Sequence, residues 1–323
     1  MKSFVLSLAL LGVAVTLSSP SPALAQNSRS WVASFGSDAN ACTRTSPCAS
    51  FSGALSKTNA GGEINCVDQG DFTKGTLFIV SSLIIDCTGA DGRLSTPFGF
   101  SISVSAGTND VVILRGLDIG GDGVGNVGIL FQLGFALYIE HCIIHDFPGG
   151  GIQMTSSSAP MELSVSDTAI INNGNGSTEA GILIQPRFSS TVSKIVLDRV
   201  ELRNNFFGVK ADGTMTTGGV INMTVRDSVS AGNASNGIVG TGNASGAAIV
   251  MMIDHSASSH NAAGFGVIAD GPKTTIRLGG SSIAGNINGV GVSNGGVLQS
   301  YGTNQINGNS NDGIAALTPI GLH

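Results

Sequence analysis

The sequence predicts an all-β fold, a single-stranded right-handed parallel β-helix with a short N-terminal capping helix. Three observations predict it. First, a glycine followed by Ile or Val recurs at Gly128-Ile129, Gly151-Ile152, Gly181-Ile182, Gly208-Val209, Gly237-Ile238, Gly266-Val267, Gly291-Val292 and Gly313-Ile314, at intervals running from 22 residues (291 to 313) to 30 (151 to 181). Second, an aliphatic anchor is followed by inward positions three and five later and a turn residue eight later. The frame reads Leu114, Leu117, Ile119, Asp122, then Ile139, Cys142, Ile144, Phe147, then Val165, Thr168, Ile170, Asn173. It continues from Leu197, Val225, Ile253 and Leu278, closing on Asn205, Asn233, Asn261 and Asn286. Third, glycine is abundant, 47 of 323 residues, and the short apolar runs between glycines alternate with period two rather than 3.6. A unit this short cannot bury its own apolar face, but coils stacked about 4.8 Å apart bury one another's. Crossovers between parallel strands of one sheet are right-handed. Asparagine at the turn tolerates a left-handed backbone and bonds to an identical residue stacked above it, so the sequence predicts an asparagine ladder.

The elements follow in order. Residues 1–25 read as a secretory signal: Lys2, an apolar run from Phe4, and Ala23-Leu24-Ala25 before Gln26 as the cleavage site. The expected product is secreted, periplasmic or on the cell surface. No later stretch reaches the ~18 uninterrupted apolar residues of a membrane-spanning helix. Residues 26–65 are the N-terminal cap and first strands. Within them Phe51, Ala54 and Leu55 fall on one helical face ahead of Gly61-Gly62, and a short helix there would cover the open end of the first coil. Residues 66–323 are the coils.

Five cysteines in an exported chain invite disulfides. Cys42 and Cys48 enclose a short polar loop and read as a local staple. Cys66 and Cys87 sit in similar settings, EINC and IIDC, and become stacked neighbours if those settings are successive turns. Cys142 is the odd one and reads as a buried free thiol. The formal charge of −6 leaves no basic footprint for nucleic acid.

GSDAN, PCASFSGAL and GGEINC together resemble the N-terminal entry of the pectin-lyase-like right-handed β-helix superfamily, and more closely that of secreted bacterial β-helix repeat proteins of unknown role. The resemblance covers about residues 30–315 at the level of fold, and the opening motif is its most specific part.

The stretch MMIDHSASSHN, residues 251–261, gathers an aspartate, two histidines and three serines. Laid over MTVRDSVSAGN at 223–233, it is one coil of the repeat. Its polar residues fall into columns of alternating sign: Asp198, Arg226 and Asp254 in one, Asp167, Arg199, Asp227 and His255 in the other. Neighbours one coil apart are within reach of ion pairing. Asp254 and His255 are also candidate catalytic groups. Calcium is not supported, because Arg226 neutralises the column that holds Asp198 and Asp254. His141 and His145, with Glu140 and Asp146 nearby, read as turn residues before they read as metal ligands. The paired-aspartate, Gly-His-Gly and Arg-x-Lys motifs of polygalacturonases are absent, as is a nucleophile elbow.

The remaining candidate is the strip after each Gly-Ile/Val anchor. Asp212 and Asp270 align there two coils apart, with Arg187, Lys210 and Lys273 near the same face, and this is the expected binding face. Its bland alternative is an ordinary solvated surface, and one Trp and two Tyr make stacking platforms scarce. The sequence therefore favours an exported, non-catalytic module with a surface, matrix or saccharide-binding role and an extracellular polysaccharide as partner. The rival is a polysaccharide lyase or glycoside hydrolase acting on an acidic polysaccharide, at Asp212 and Asp270 or at Asp254 and His255. A third reading, an adhesin or appendage subunit, follows from a C-terminal segment without a capping helix, which would leave the last coil to an oligomeric contact.

Overall fold

A computed structural model of the chain describes residues 26–155 and 159–322. The apolar leader and its expected cleavage site lie outside the described residues.

Each coil contributes one strand to each of three parallel sheets. One coil runs Val220–Arg226, Val229–Ala231, Ile238–Thr241, after which Ala248–Asp254 opens the next. Among the described residues the sheets have twelve, ten and nine strands, and are called here the long, middle and short sheets. Met223 pairs with Met251, Val225 with Ile253 and Ser230 with Ser258, the register expected from laying 223–233 over 251–261. From the coil of Glu140 to that of Gly279 the corner between long and middle sheets is constant at two residues, as between Asp198 and Glu201, Arg226 and Val229, and Asp254 and Ala257. Over these coils the variation in repeat length is carried by the other two corners.

The constant corner has a backbone cause. Its first residue adopts a left-handed conformation in coil after coil: φ is 49° at Asp167, 53° at Arg199, 49° at Asp227 and 45° at His255, with Gly280 continuing the row at 53°. A polar residue there turns the chain sharply at a cost of about 1–2 kcal/mol each, which the sheets on either side outweigh. The column read from sequence as charges is first a column of bends.

The next corner holds the predicted asparagine ladder. Asn205 Nδ2, Asn233 Nδ2, Asn261 Nδ2 and Asn286 Nδ2 each donate to the side-chain oxygen of the asparagine one coil on, at 3.4, 2.8, 2.8 and 2.9 Å. The ladder residues are not the left-handed ones; that role falls to the preceding positions Asn172, Asn204 and His260.

The last two Gly-Ile/Val anchors need correction. Val267 pairs with Val290, so Gly289-Val290 occupies the column in place of Gly291-Val292, and Val292 and Ile314 are exposed. The run NGVGV repeats every two residues, so both Gly-Val pairs fit one face.

Inside the coils one continuous apolar core runs from Val32 to Leu298. At its N-terminal end the helix Phe51–Leu55 starts on Ser50, whose side chain accepts from the Gly53 N–H at 3.0 Å. Phe51 and Ala54 are buried, Leu55 packs against the core, and the Phe51 ring meets Phe72 edge-on at 5.3 Å. The disulfides join Cys42 to Cys48 and Cys66 to Cys87, and Cys142 is free and buried. At the C-terminal end a 3-10 turn, Ile314–Ala316, leads into Leu317–Pro319, which pairs with Val297–Ser300 as the last strand of the long sheet.

Candidate functional site

The outward face of the long sheet carries a polar row that runs through seven successive strands. Beside the constant corner, Asp86, Arg115, Glu140, Ser166, Asp198, Arg226 and Asp254 stand in register. Arg115 pairs with Glu140 at 2.7 Å and Asp86 at 3.8 Å, and Arg226 with Asp198 at 2.9 Å. In the bend column Arg199 pairs with Asp167 at 2.6 Å, which holds the Asp167 carboxyl below the usual carboxylate range. The expected alternation is therefore partly realised. Arg226 turns to Asp198 and Asp227 rather than to Asp254, and Asp254 instead accepts from His255 Nδ1 at 2.8 Å.

After Asp254 and His255 both columns end in glycine. Gly279 and Gly280 follow in the next coil, and a Cβ on Gly279 would lie 2.8 Å from Asp254 Oδ1, one on Gly280 3.2 Å from His255 Nε2. Two missing side chains thus open a recess of about 490 Å³, lined by Asp254, His255, Met252, Tyr301, Thr303 and Leu322. Met252 also floors a shallower groove of about 340 Å³ that includes Lys194, Asn222, Thr224, Val250 and Arg277, so the two are continuous.

Arg277 sets this groove apart. Lys194 is held by Glu162 at 2.7 Å. Arg277 is half-buried, and among the described residues its guanidinium has neither ion pair nor hydrogen bond. Its neighbour in register is Gln299, whose buried side-chain oxygen also lacks a partner. A partly desolvated, unpaired guanidinium invites an anionic group.

The scarce aromatic side chains with polar tips gather on this same sheet. Trp31 pairs in register with Asn65, Tyr138 stands between Ile113 and Ser164, and Tyr301 follows the strand Val297–Ser300. They are the one Trp and two Tyr of the chain.

The strip expected on the short sheet is arranged differently. Asp212, Thr241 and Asp270 do share a row. Asp212 is only 6% exposed. It accepts from the Thr214 N–H and hydroxyl at 3.0 and 2.6 Å and from Gln185 Nε2 at 3.1 Å, with Lys210 Nζ at 3.7 Å. Lys210 lies over the Phe207 ring at 5.2 Å. Asp270 accepts from Asn294 at 2.8 Å, Lys273 donates to the Gly246 carbonyl at 3.3 Å, and Arg187 donates to Gln185 at 3.3 Å. Leu183, Val239 and Ile268, outward positions between these residues, are buried in a small apolar cluster with Phe207. The strip's polar groups are largely engaged within the chain.

The histidines of EHCIIHD are separated rather than brought together. His141 sits at the bend before the strand Ile143–His145, with φ 53°, and His145 at its far end. His145 is clasped by two carboxylates, Asp118 at 2.8 Å and Asp146 at 2.6 Å. The Asp118 bond, aided by Asp146 and opposed by burial, raises the imidazole pKa to about 9, and the same bond lowers that of Asp118. Asp118 escaped the sequence reading because it comes from the preceding coil. Burial pushes the Cys142 thiol up to about 12, so it is no nucleophile at neutral pH.

No protein-family model and no curated protein matches the chain. Among solved structures the chain is similar to pectate lyase Pel9A, at 15% identity over 87% of this chain and 79% of that one, with a TM-score of 0.54. A rhamnogalacturonan lyase aligns at 11% identity over 80% of this chain and 75% of that one, with a TM-score of 0.49. At such identities the likeness is one of fold: this chain is a right-handed parallel β-helix.

Proposed function

We propose that the protein holds an extended acidic polysaccharide across the outward face of its long sheet, without cleaving it, in the groove from Lys194 and Asn222 to Tyr301. The observation that carries this reading is Arg277, the half-buried guanidinium without a partner in a groove otherwise lined by Asn222, Thr224, Val250 and Met252. From the strand of Lys194 to that preceding Tyr301 is four steps of about 4.8 Å, roughly 19 Å, room for a few sugar rings. A carboxylate on one ring would meet Arg277, a charge-assisted bond worth about 1.5–3 kcal/mol, and Tyr301 offers a ring face beyond it. The fold likeness to a pectate lyase is compatible with such a ligand. An exported location, expected from the leader, would place the protein among such polymers.

The test is titration of the protein with galacturonate oligosaccharides and with neutral ones of equal length. The acidic series should bind more tightly, and Arg277→Gln should weaken it roughly tenfold or more with an unchanged melting temperature. Equal binding of both series, or indifference to the substitution, overturns the proposal.

A second reading, catalysis, is favoured by one observation: His255 Nδ1 is tied to Asp254, which leaves Nε2 to take a proton in the recess. Hydrolysis by a carboxylate pair is disfavoured, since among the described residues Asp254 is the single carboxylate lining that recess. Elimination is the form that remains. His255 Nε2 would remove the proton α to a uronate carboxylate, and the electron pair would form the C=C bond as the glycosidic oxygen leaves. Unsaturated product absorbance and new reducing ends, followed with and without calcium, should both stay silent. A signal lost in His255→Ala would establish this second reading.

A further inference from the structure

At the opposite end of the same sheet face lies a pocket of about 280 Å³ around the chain's single tryptophan, lined by Arg29, Trp31, Arg44, Asn65, Cys66 and Val67. Its polar side chains are donors: two guanidinium groups, an indole N–H and the Asn65 amide, with no carboxylate among the six. Arg29 is already held by Glu63 at 2.7 Å. Arg44 is not; it is exposed, and among the described residues its guanidinium has no ion pair and no hydrogen bond, which leaves it free to meet a ligand. Asn65 Nδ2 is buried and equally without an acceptor. Donors gathered in one polar pocket beside the indole, with the Asn65 amide buried and unmet, lack one thing, an acceptor.

The loop that carries Arg44 is built to stay in place. The Cys42–Cys48 disulfide closes it, the Ser46 N–H donates to the Thr43 carbonyl at 3.1 Å, and both flanks bond to Trp31 itself. The Trp31 N–H donates to the Cys42 carbonyl at 2.8 Å, and the Cys48 N–H donates to the Trp31 carbonyl at 2.9 Å. The guanidinium and the indole are therefore offered on one stapled frame, so little freedom is lost when a ligand engages both.

We propose that this pocket is a second binding site, which takes an oxyanion, carboxylate or sulfate ester, borne on a sugar ring that stacks on Trp31, with Arg44 as the charge partner and Asn65 as a neutral donor. It rests on the reading of the long-sheet face as a glycan surface, but along the sheet order the Trp31 strand stands nine steps from that of Arg277 and six from that of Lys194, where the groove begins. At about 4.8 Å a step, no short oligosaccharide reaches both.

Because Trp31 is the only tryptophan, its emission, excited at the red edge beyond the absorption of Tyr138 and Tyr301, reads this pocket alone. The protein is titrated with a galacturonate tetrasaccharide, a sulfated galactan tetrasaccharide and neutral maltotetraose. A saturable change in Trp31 emission is expected with one or both anionic sugars, and which one responds assigns the oxyanion. Arg44→Gln should weaken that response roughly tenfold or more, while Arg277→Gln leaves it unchanged. Calorimetry on the same samples reports binding at both sites, and the component that the Trp31 signal does not track should weaken with Arg277→Gln and ignore Arg44→Gln. No Trp31 response, an equal response to maltotetraose, or a response indifferent to Arg44→Gln overturns this site. Loss of Arg277-dependent binding with the Trp31 response intact overturns the first proposal and leaves this one standing.

Discussion

The N-terminal and C-terminal coils fill the same backbone rung in different ways. In the early coils the inward positions are apolar: Leu117 and Cys142 beside the constant corner, Ile119 and Ile144 after it, and Phe147 at the next bend. In the later coils the same positions hold Ser228, Ser256 and Ser281, then Ser230 and Ser258, then the asparagine ladder, all buried. The two solutions meet where the Phe147 N–H donates to Asn173 Oδ1 at 3.1 Å. A buried polar column is stable only where each donor finds an acceptor in the next coil. The serines meet that condition as the asparagines do: the Ser228 N–H donates to Ser256 Oγ at 3.1 Å, and the Ser256 N–H to Ser281 Oγ at 3.2 Å. One half is thus held by volume, the other by satisfied hydrogen bonds.

The largest effect should come from removing volume. The Phe147 ring sits where glycines leave room: a Cβ on Gly121, Gly125 or Gly128 would lie 2.6, 3.0 or 3.0 Å from it. Phe147→Ala empties that space and should cost about 3–5 kcal/mol in denaturant unfolding. Asn233→Ala should cost less, about 2–3 kcal/mol, by leaving the buried Asn205 N–H without its 3.0 Å acceptor and Asn261 Oδ1 without its 2.8 Å donor. A cost below 0.5 kcal/mol for Asn233→Ala would break the comparison, since the ladder would then decorate the turn rather than hold it.

His145 adds a smaller, pH-dependent contribution at the junction. Its folded pKa, about 9, lies above the ordinary imidazole value, so its stabilisation is complete below the unfolded pKa of about 6.5 and is lost as pH rises through about 9. Asp118 is lowered by the same bond, so its share is lost instead as pH falls through its depressed folded pKa. The melting temperature should therefore decline on the alkaline side, and His145→Gln should flatten that decline. With both partners partly exposed, about 1 kcal/mol is the scale after solvent screening. An unchanged alkaline limb in His145→Gln would show that the clasp adds nothing.

How much of this was legible depended on periodicity. The sheet frame, the inward columns and the ladder repeat, so one coil explains the next, and the Met223-over-Met251 register came straight from laying two coils together. The bends did not announce themselves, because His255 and Arg199 suggest charge chemistry before they suggest a left-handed backbone. Arg277 and Tyr138 stood one residue before the anchors Leu278 and Ile139, in an outward column open to inspection but hidden among polar and apolar neighbours. Trp31 precedes the repeat and had no column to join. The recess beside His255 is made by Gly279 and Gly280, and an opening left by missing side chains is invisible to a search for chemically active ones.

The smallest expected effect tests whether the two interiors are interchangeable. Cys142 occupies the column of Thr168, Ser228, Ser256 and Ser281, and its thiol already behaves like their hydroxyls. Cys142 Sγ lies 3.3 Å from the Glu140 carbonyl two residues back, as Ser228 Oγ donates to Arg226 at 2.7 Å and Ser256 Oγ to Asp254 at 2.8 Å. Its own N–H donates to Thr168 Oγ1 at 3.2 Å, the same coil-to-coil step that the serines make. A serine at 142 inherits both a carbonyl to donate to and a neighbour already polar on one side. Cys142→Ser should therefore shift stability by less than about 1 kcal/mol, well short of the 1–3 kcal/mol expected for an unsatisfied hydroxyl in an apolar core. A loss in that higher range would place the boundary between the two interiors before Cys142, with Leu117 and its apolar surroundings setting the rule for that rung.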